Sequence, residues 1–188
     1  MSLPKGIRSR YLDNGNGLSV HLLEAGFDQV DRPLLLLLHG FPELAYSWRK
    51  VMLPLAAAGF HVVAPDQRGY GETRGWDNRY EGDLASFRFL NLVQDMLGLV
   101  WALGYPTVRA VVGHDFGSSV AGCCALIRPD IFRSVVMMSA PFTGAPAFVN
   151  DEANKDPRLP SASATKGKDI HAALAELTPP RKHYQWYY

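Results

Sequence analysis

Apolar and polar positions along this chain fall into short runs with two different periods. Arg8–Leu12 and Leu18–Glu24 carry the residue types of strands, and the turn-forming run Asp13-Asn14-Gly15-Asn16-Gly17 separates them. Leu34–Leu38 is apolar at every position, which predicts a strand buried on both faces. Trp48–Ala58 reads as a helix closed by Gly59, and His61–Ala64 as the next strand. From Asp83 to Leu103, the residues Leu84, Phe87, Leu90, Val93, Leu97 and Val100 recur at helical spacing. They predict one long amphipathic helix capped at Gly104. Val108–Val112 predicts a strand, Ser118–Leu126 a helix of small residues, and Phe132–Ser139 a further strand with Met137 and Met138 in the core.

Strands alternating with helices, the strands continuously apolar, predict an α/β fold: a mostly parallel sheet with helices on both faces. No internal repeat is present. After Phe142 the composition shifts, and Asn150–Lys168, rich in Asp, Lys, Pro, Ser and Ala, reads as a flexible excursion. His171–Leu177 has the makings of a short helix before Pro179-Pro180, and the sequence closes on the aromatic run Tyr184-Gln185-Trp186-Tyr187-Tyr188.

Composition narrows the function classes. With 188 residues, 47% of them hydrophobic, the chain can bury one good core, as a soluble enzyme domain does. Nineteen basic against 18 acidic residues leave a net charge of +1, which argues for neither nucleic acid nor an anionic membrane as partner. The aliphatic run Leu34–Leu38 is far too short to span a bilayer, and no apolar stretch follows Met1-Ser2-Leu3-Pro4-Lys5 as a secretory signal would require. Cys123 and Cys124 are adjacent on a predicted helix, where they fill a core seam rather than form a disulfide or a metal site. The expected location is cytoplasmic. No metal or organic cofactor is implied, because the sequence shows neither a ligand cluster nor a phosphate-binding glycine loop.

Chemistry enters at Gly113-His114-Asp115-Phe116-Gly117, between a predicted strand and a predicted helix. In this context G-x-nucleophile-x-G forms a sharp elbow that lifts one side chain above the sheet. An aspartate at that point suits attack on a saturated carbon. A serine there would end as a stable ether, whereas a carboxylate forms an ester that water can cleave. Taken alone, an aspartate between glycines is also an ordinary exposed turn residue.

Two more segments bear on that choice. His39-Gly40-Phe41-Pro42-Glu43 follows the strand Leu34–Leu38, where the second N–H of an oxyanion hole arises in such sheets. Phe41 and Phe116 are then the backbone N–H donors, and a cis peptide at Pro42 is expected to hold the loop. The competing reading is a plain strand-to-helix turn. Asp66-Gln67-Arg68-Gly69-Tyr70-Gly71-Glu72-Thr73, after the strand His61–Ala64, reads as a structural turn without direct chemistry.

In this order and spacing, His39-Gly40-Phe41-Pro42, Asp66–Gly71 and Gly113–Gly117 resemble the α/β-hydrolase superfamily, specifically the epoxide hydrolases with an aspartate nucleophile. The resemblance covers about Arg8 to Phe142 and resumes at the C-terminus. It implies an α/β-hydrolase fold, incomplete at its C-terminal end. Residues 1–144 would be the N-terminal part of the core domain, 145–180 a linker or excursion, and 181–188 the start of a cap. Asp115 would attack an epoxide carbon of a small apolar substrate, and the alkyl-enzyme ester would be hydrolysed to a diol. His39, Gly40, Pro42 and His114 would surround the site. Tyr184-Gln185 matches a cap Tyr-Gln pair, so Tyr184 would give a proton to the opening epoxide oxygen. Trp186, Tyr187 and Tyr188 read as aromatic packing.

The resemblance also implies a histidine base with an acidic partner, beyond the cap. None of the six histidines occupies that position, so the chain reads as the N-terminal part of a larger epoxide hydrolase or a truncated product, stalled before full turnover. Phe132–Ser139 would then be an open sheet edge through which the chain self-associates. Haloalkane dehalogenases are similar around the elbow, but tend to differ at Phe41 and Phe116. That activity, and a non-catalytic hydrolase-like module binding a small ligand, stand as alternatives.

Overall fold

The computed structural model describes residues 3–29, 31–140 and 174–181. Six strands form one sheet: β1 (Ile7–Asp13), β2 (Ser19–Ala25), β3 (Leu34–Leu38), β4 (His61–Pro65), β5 (Ala110–His114) and β6 (Val135–Met138), in the order β1-β2-β4-β3-β5-β6. The first two are an antiparallel hairpin running from Ile7↔Ala25 to Asp13↔Ser19. β2 pairs antiparallel with β4, and the pairs β3–β4, β3–β5 and β5–β6 are parallel. The parallel strands all deliver their C-terminal ends to one edge, where loops collect.

The five leucines of β3 explain the layering. Leu34, Leu36 and Leu38 join a core with Met96 and Leu99 of α2 (Phe89–Ala102) and Val120 of α3 (Phe116–Ile127). Leu35 and Leu37 face the opposite core, with Met52 and Ala56 of α1 (Arg49–Ala57). Because successive strand side chains point to opposite faces, a strand covered on both sides must be apolar throughout. Cys124 lies fully inside the first core and Cys123 packs at its margin, both as free thiols. Burial pushes the Cys124 thiol well above its ordinary range.

Two expectations need correction. The run Asp83–Leu103 is not one helix. A 3₁₀ turn, Leu84–Phe87, capped by the Asp83 carboxylate accepting the Ala85 N–H at 2.8 Å, ends at Arg88. Arg88 is extended (φ −63°, ψ 147°), and α2 starts afresh at Phe89. The buried face of α2 is Leu92, Val93, Met96, Leu99 and Val100. Leu90 sits roughly 120° from the centre of that face at 100° per residue, and it is 64% exposed. The second correction concerns β6. It is shorter than expected, and Met138 is 42% exposed rather than core, with Val136 at 47%. β6 is the outer strand among the described residues, so nothing described covers that side.

Buried charge ties the loops to the sheet. Glu24, fully buried on β2, accepts from Arg8 Nε at 2.5 Å and Arg10 Nε at 2.6 Å, and lies 3.0 Å from His61 Nε2. These partners overcome the burial cost and hold its carboxyl at about 2. Arg68 grips Asp95 of α2 with two bonds, 2.8 and 2.6 Å, and Asn16 of the hairpin turn adds a third at 2.6 Å. No helix among the described residues is long and apolar enough to cross a membrane.

The expected boundary at 144 and most of the excursion 145–180 lie outside the described residues, as does the segment from Lys182 that contains Tyr184. Of the predicted helix His171–Leu177, the part from Leu174 is described, and Leu174 and Ala175 are helical.

Candidate active site

One residue separates β5 from α3, and that residue is Asp115. Its backbone adopts φ 53° and ψ −122°, a conformation that a residue with a side chain rarely takes. The neighbours must be small for the turn to close. A Cβ on Gly113 would lie 2.1 Å from the Gly117 carbonyl, and one on Gly117 would lie 2.3 Å from the Leu38 carbonyl. The elbow is thus packed directly onto the end of β3.

Hydrogen bonds lock it there. The Asp115 N–H donates to the Met138 carbonyl at 2.9 Å, and the Asp115 carbonyl accepts the Ser118 N–H at 2.9 Å as α3 begins. The Ser118 hydroxyl accepts the Met138 N–H at 2.9 Å and stands within 2.7 and 2.8 Å of the Gly113 and Met138 carbonyls. With one proton it serves one of those carbonyls at a time. Ser118 is fully buried, and it fastens the outer strand to the elbow.

The loop after β3 meets the elbow from the other side. The Phe41 N–H donates to Asp115 Oδ1 at 3.0 Å. Gly40 makes that approach possible, since a Cβ there would stand 2.4 Å from Asp115 Oδ1. The Phe41–Pro42 peptide is cis, as expected from the sequence. Phe116 opens α3, and its ring packs near Phe89 with centroids 5.8 Å apart.

His39 is a brace for this loop. It is buried; its Nδ1–H donates to the Gly40 carbonyl at 2.9 Å, and its Nε2 accepts the Gln67 N–H at 3.1 Å. Gln67 returns a bond from its side-chain amide to the His39 carbonyl at 2.5 Å. Burial lowers the imidazole pKa, which keeps the ring neutral in this tautomer. His114, at the end of β5, lines a cavity of about 200 Å³ together with His39, Glu43, Ser47, Trp48 and Met138. The elbow, the Phe41 loop and a small cavity therefore meet at the C-terminal edge of the parallel strands.

The fold is shared with known proteins. A sequence model of the α/β-hydrolase fold matches residues 33–168. The chain belongs to the α/β-hydrolase fold family. It is similar to epoxide hydrolase 3 of Siraitia grosvenorii, 40% identical over 129 residues, which are 69% of this chain and 38% of that protein. It is also similar to epoxide hydrolase B of Mycobacterium tuberculosis, 38% identical over 175 residues, 93% of this chain and 45% of that one. Among solved structures, an epoxide hydrolase from an endophytic Streptomyces superposes with a TM-score of 0.64 at 42% identity, covering 74% of this chain and 39% of its own. The chain spans less than half the length of these relatives.

Within the α/β-hydrolase frame, the Asp66 loop is tied to its surroundings through the Asp66 carboxylate. Asp66 Oδ1 accepts the Ala45 N–H at 2.9 Å, and Oδ2 accepts the Glu72 N–H at 3.1 Å and faces His21 Nδ1 at 2.8 Å. These bonds lower its pKa against the opposing effect of burial. Gly71, at φ +53°, leaves room for that carboxylate, since a Cβ there would lie 2.0 Å from Asp66 Oδ2.

Sequence reading missed Ser118 and Trp48. Ser118 had one weak signal, a hydroxyl at the start of an otherwise apolar helix. Trp48 had none: its buried Nε1–H finds no acceptor among the described residues beside the cavity, and that depends on packing. Among the described residues no group of His, Cys, Asp and Glu could hold a metal ion.

Proposed function

We propose that this chain carries the alkyl-ester-forming half of an epoxide hydrolase site. Asp115 Oδ2 attacks a ring carbon of a small apolar epoxide; the carbon–oxygen bond opens and the electron pair stays on the departing oxygen. Tyr184 gives that oxygen its proton. The ester's carbonyl oxygen is then Oδ1, already on the Phe41 N–H, with the Phe116 N–H as second donor when water attacks the carboxyl carbon. Water adds there, the ester oxygen leaves with the substrate, and a vicinal diol departs as Asp115 is restored.

The single observation that carries this reading is the 3.0 Å bond from the Phe41 N–H to Asp115 Oδ1. In this reading Oδ1 belongs to the hole and Oδ2 is the attacking oxygen. The similarity to proteins named epoxide hydrolases supports the substrate class.

Among the described residues the reading assigns no water-activating base. His21 faces Asp66 and Ser9, His39 is spent on Gly40 and Gln67, and His61 faces Glu24 and Tyr105. Ester formation without rapid hydrolysis is therefore expected. The test is intact-protein mass spectrometry after incubation with a small aryl epoxide, using Asp115→Asn as control. A persistent one-equivalent adduct on the unmodified chain alone supports the reading. A folded chain that takes no adduct overturns it and favours a non-catalytic ligand-binding module.

We also infer that β6 mediates self-association. Its exposed Val135, Val136 and Met138 make an apolar outer strand, the kind that pairs with other chains. Light scattering should show mass rising with concentration, and Val136→Lys should suppress the rise. A monomer at every concentration refutes it.

A further inference from the structure

Far along the sheet from the elbow strand, on the hairpin edge, three side chains form an ordered relay. Ser9 Oγ of β1 lies 2.8 Å from His21 Nε2 of β2, and His21 Nδ1 lies 2.8 Å from Asp66 Oδ2. We propose that Ser9, His21 and Asp66 are a second nucleophilic centre, able to take an acyl group from a small activated ester.

The assignment of roles follows from hydrogen-bond bookkeeping. Asp66 already accepts two backbone N–H groups, from Ala45 and Glu72, which favour the carboxylate form. A carboxylate can accept but not donate, so the proton between Asp66 and His21 sits on His21 Nδ1. The neutral ring then presents the Nε2 lone pair to Ser9, whose hydroxyl must donate. Nucleophile, base and orienter are thus in the order and at the distances that acyl transfer uses, and such a set is recognised by geometry rather than by chain position. Access differs along the relay as the chemistry requires: Ser9 is exposed, while His21 and Asp66 are buried. Tyr11 flanks the imidazole at 5.3 Å between ring centroids, and the Arg74 guanidinium lies over Tyr11.

The step balances simply. Ser9 Oγ attacks the ester carbonyl carbon, its proton passes to His21 Nε2 and from there to the departing oxygen, which leaves with the bonding pair as an alcohol or phenol. An acyl-Ser9 ester remains; water attacks its carbonyl carbon as His21 takes the water's proton, and His21 returns that proton to Ser9 Oγ as the acid is released. Ser9 lies mid-strand rather than on an elbow, so a good leaving group is needed.

The probe is 4-nitrophenyl acetate, read by nitrophenol release and by peptide mapping of the acetylated chain. One acetyl group on the peptide holding Ser9 is expected, absent in Ser9→Ala and slowed about 100-fold in His21→Gln, the contribution typical of a general base. Asp115→Asn should acetylate like the unmodified chain, which separates this centre from the alkylation chemistry. Acetylation confined to Lys5 or other amines, or a rate unchanged in Ser9→Ala, overturns the proposal. Mapping on the unmodified chain decides it even if a variant fails to fold.

Discussion

Asp66 and Asp115 are the same side chain in two settings near the same edge of the sheet. Asp66 is 3% exposed and holds two backbone N–H groups and an imidazole. Asp115 is half-buried and has one backbone N–H, from Phe41, on one of its oxygens. The first carboxylate positions other groups: two of its bonds hold backbone N–H groups of loops, and the third holds the His21 imidazole on β2. Among the described residues, the second takes the Phe41 N–H on Oδ1, and the proposed attack uses its other oxygen. Saturation by donors, more than identity, separates a carboxylate that positions its neighbours from one proposed to attack.

The sharpest way to break this comparison is the same substitution at both sites. Asp115→Asn should abolish the epoxide adduct while leaving the urea midpoint nearly unchanged. Asp66→Asn should cost about 3 kcal/mol of stability, because it sets an amide against N–H donors and strips His21 of its partner. Equal stability losses from the two variants would show that partner count is not what distinguishes them.

A smaller effect is expected at Gly40. Gly40→Ala places a methyl group against the Asp115 carboxylate, so the Phe41 loop must shift while the chain stays folded. A shift of that kind should slow alkylation about 100-fold, measured as the rate of adduct formation. An unchanged rate would mean that Phe41 does not aim the carboxylate.

The smallest effect extends the contrast to another saturated carboxylate. Glu24 has a folded-state pKa of about 2 against an ordinary 4.5. A depressed carboxylate contributes stability that is fully present above its unfolded pKa and is lost as pH falls through the folded one. Urea midpoints should therefore fall between about pH 5 and pH 2, with roughly 2–3 kcal/mol at stake. Glu24→Gln should flatten this slope, and an equally steep fall in that variant would assign the acid sensitivity elsewhere.

Much of the architecture was legible in the residues. The unbroken leucines of β3 announced a strand covered on both faces, and G-x-D-x-G between an apolar run and a small-residue run announced the elbow. The failures have physical causes. Leu84, Phe87 and Leu90 kept helical spacing across Arg88, yet the chain there is extended, so the register restarted and Leu90 turned outward. Met138 looked like core because its strand is apolar, but burial also requires a neighbour on the next side.

The sequence alone determined the order of strands and helices, the turn at Asp115 and the loop that meets it, since periodicity and glycine placement act over a few residues. Tertiary structure decided which groups found each other. His21 reaches Asp66 across 45 positions and the Phe41 N–H reaches Asp115 across 74. No local pattern encodes such distances. They exist because β2, β4, β3 and β5 lie side by side and bring remote loops to one edge, where each carboxylate is either saturated or left able to react.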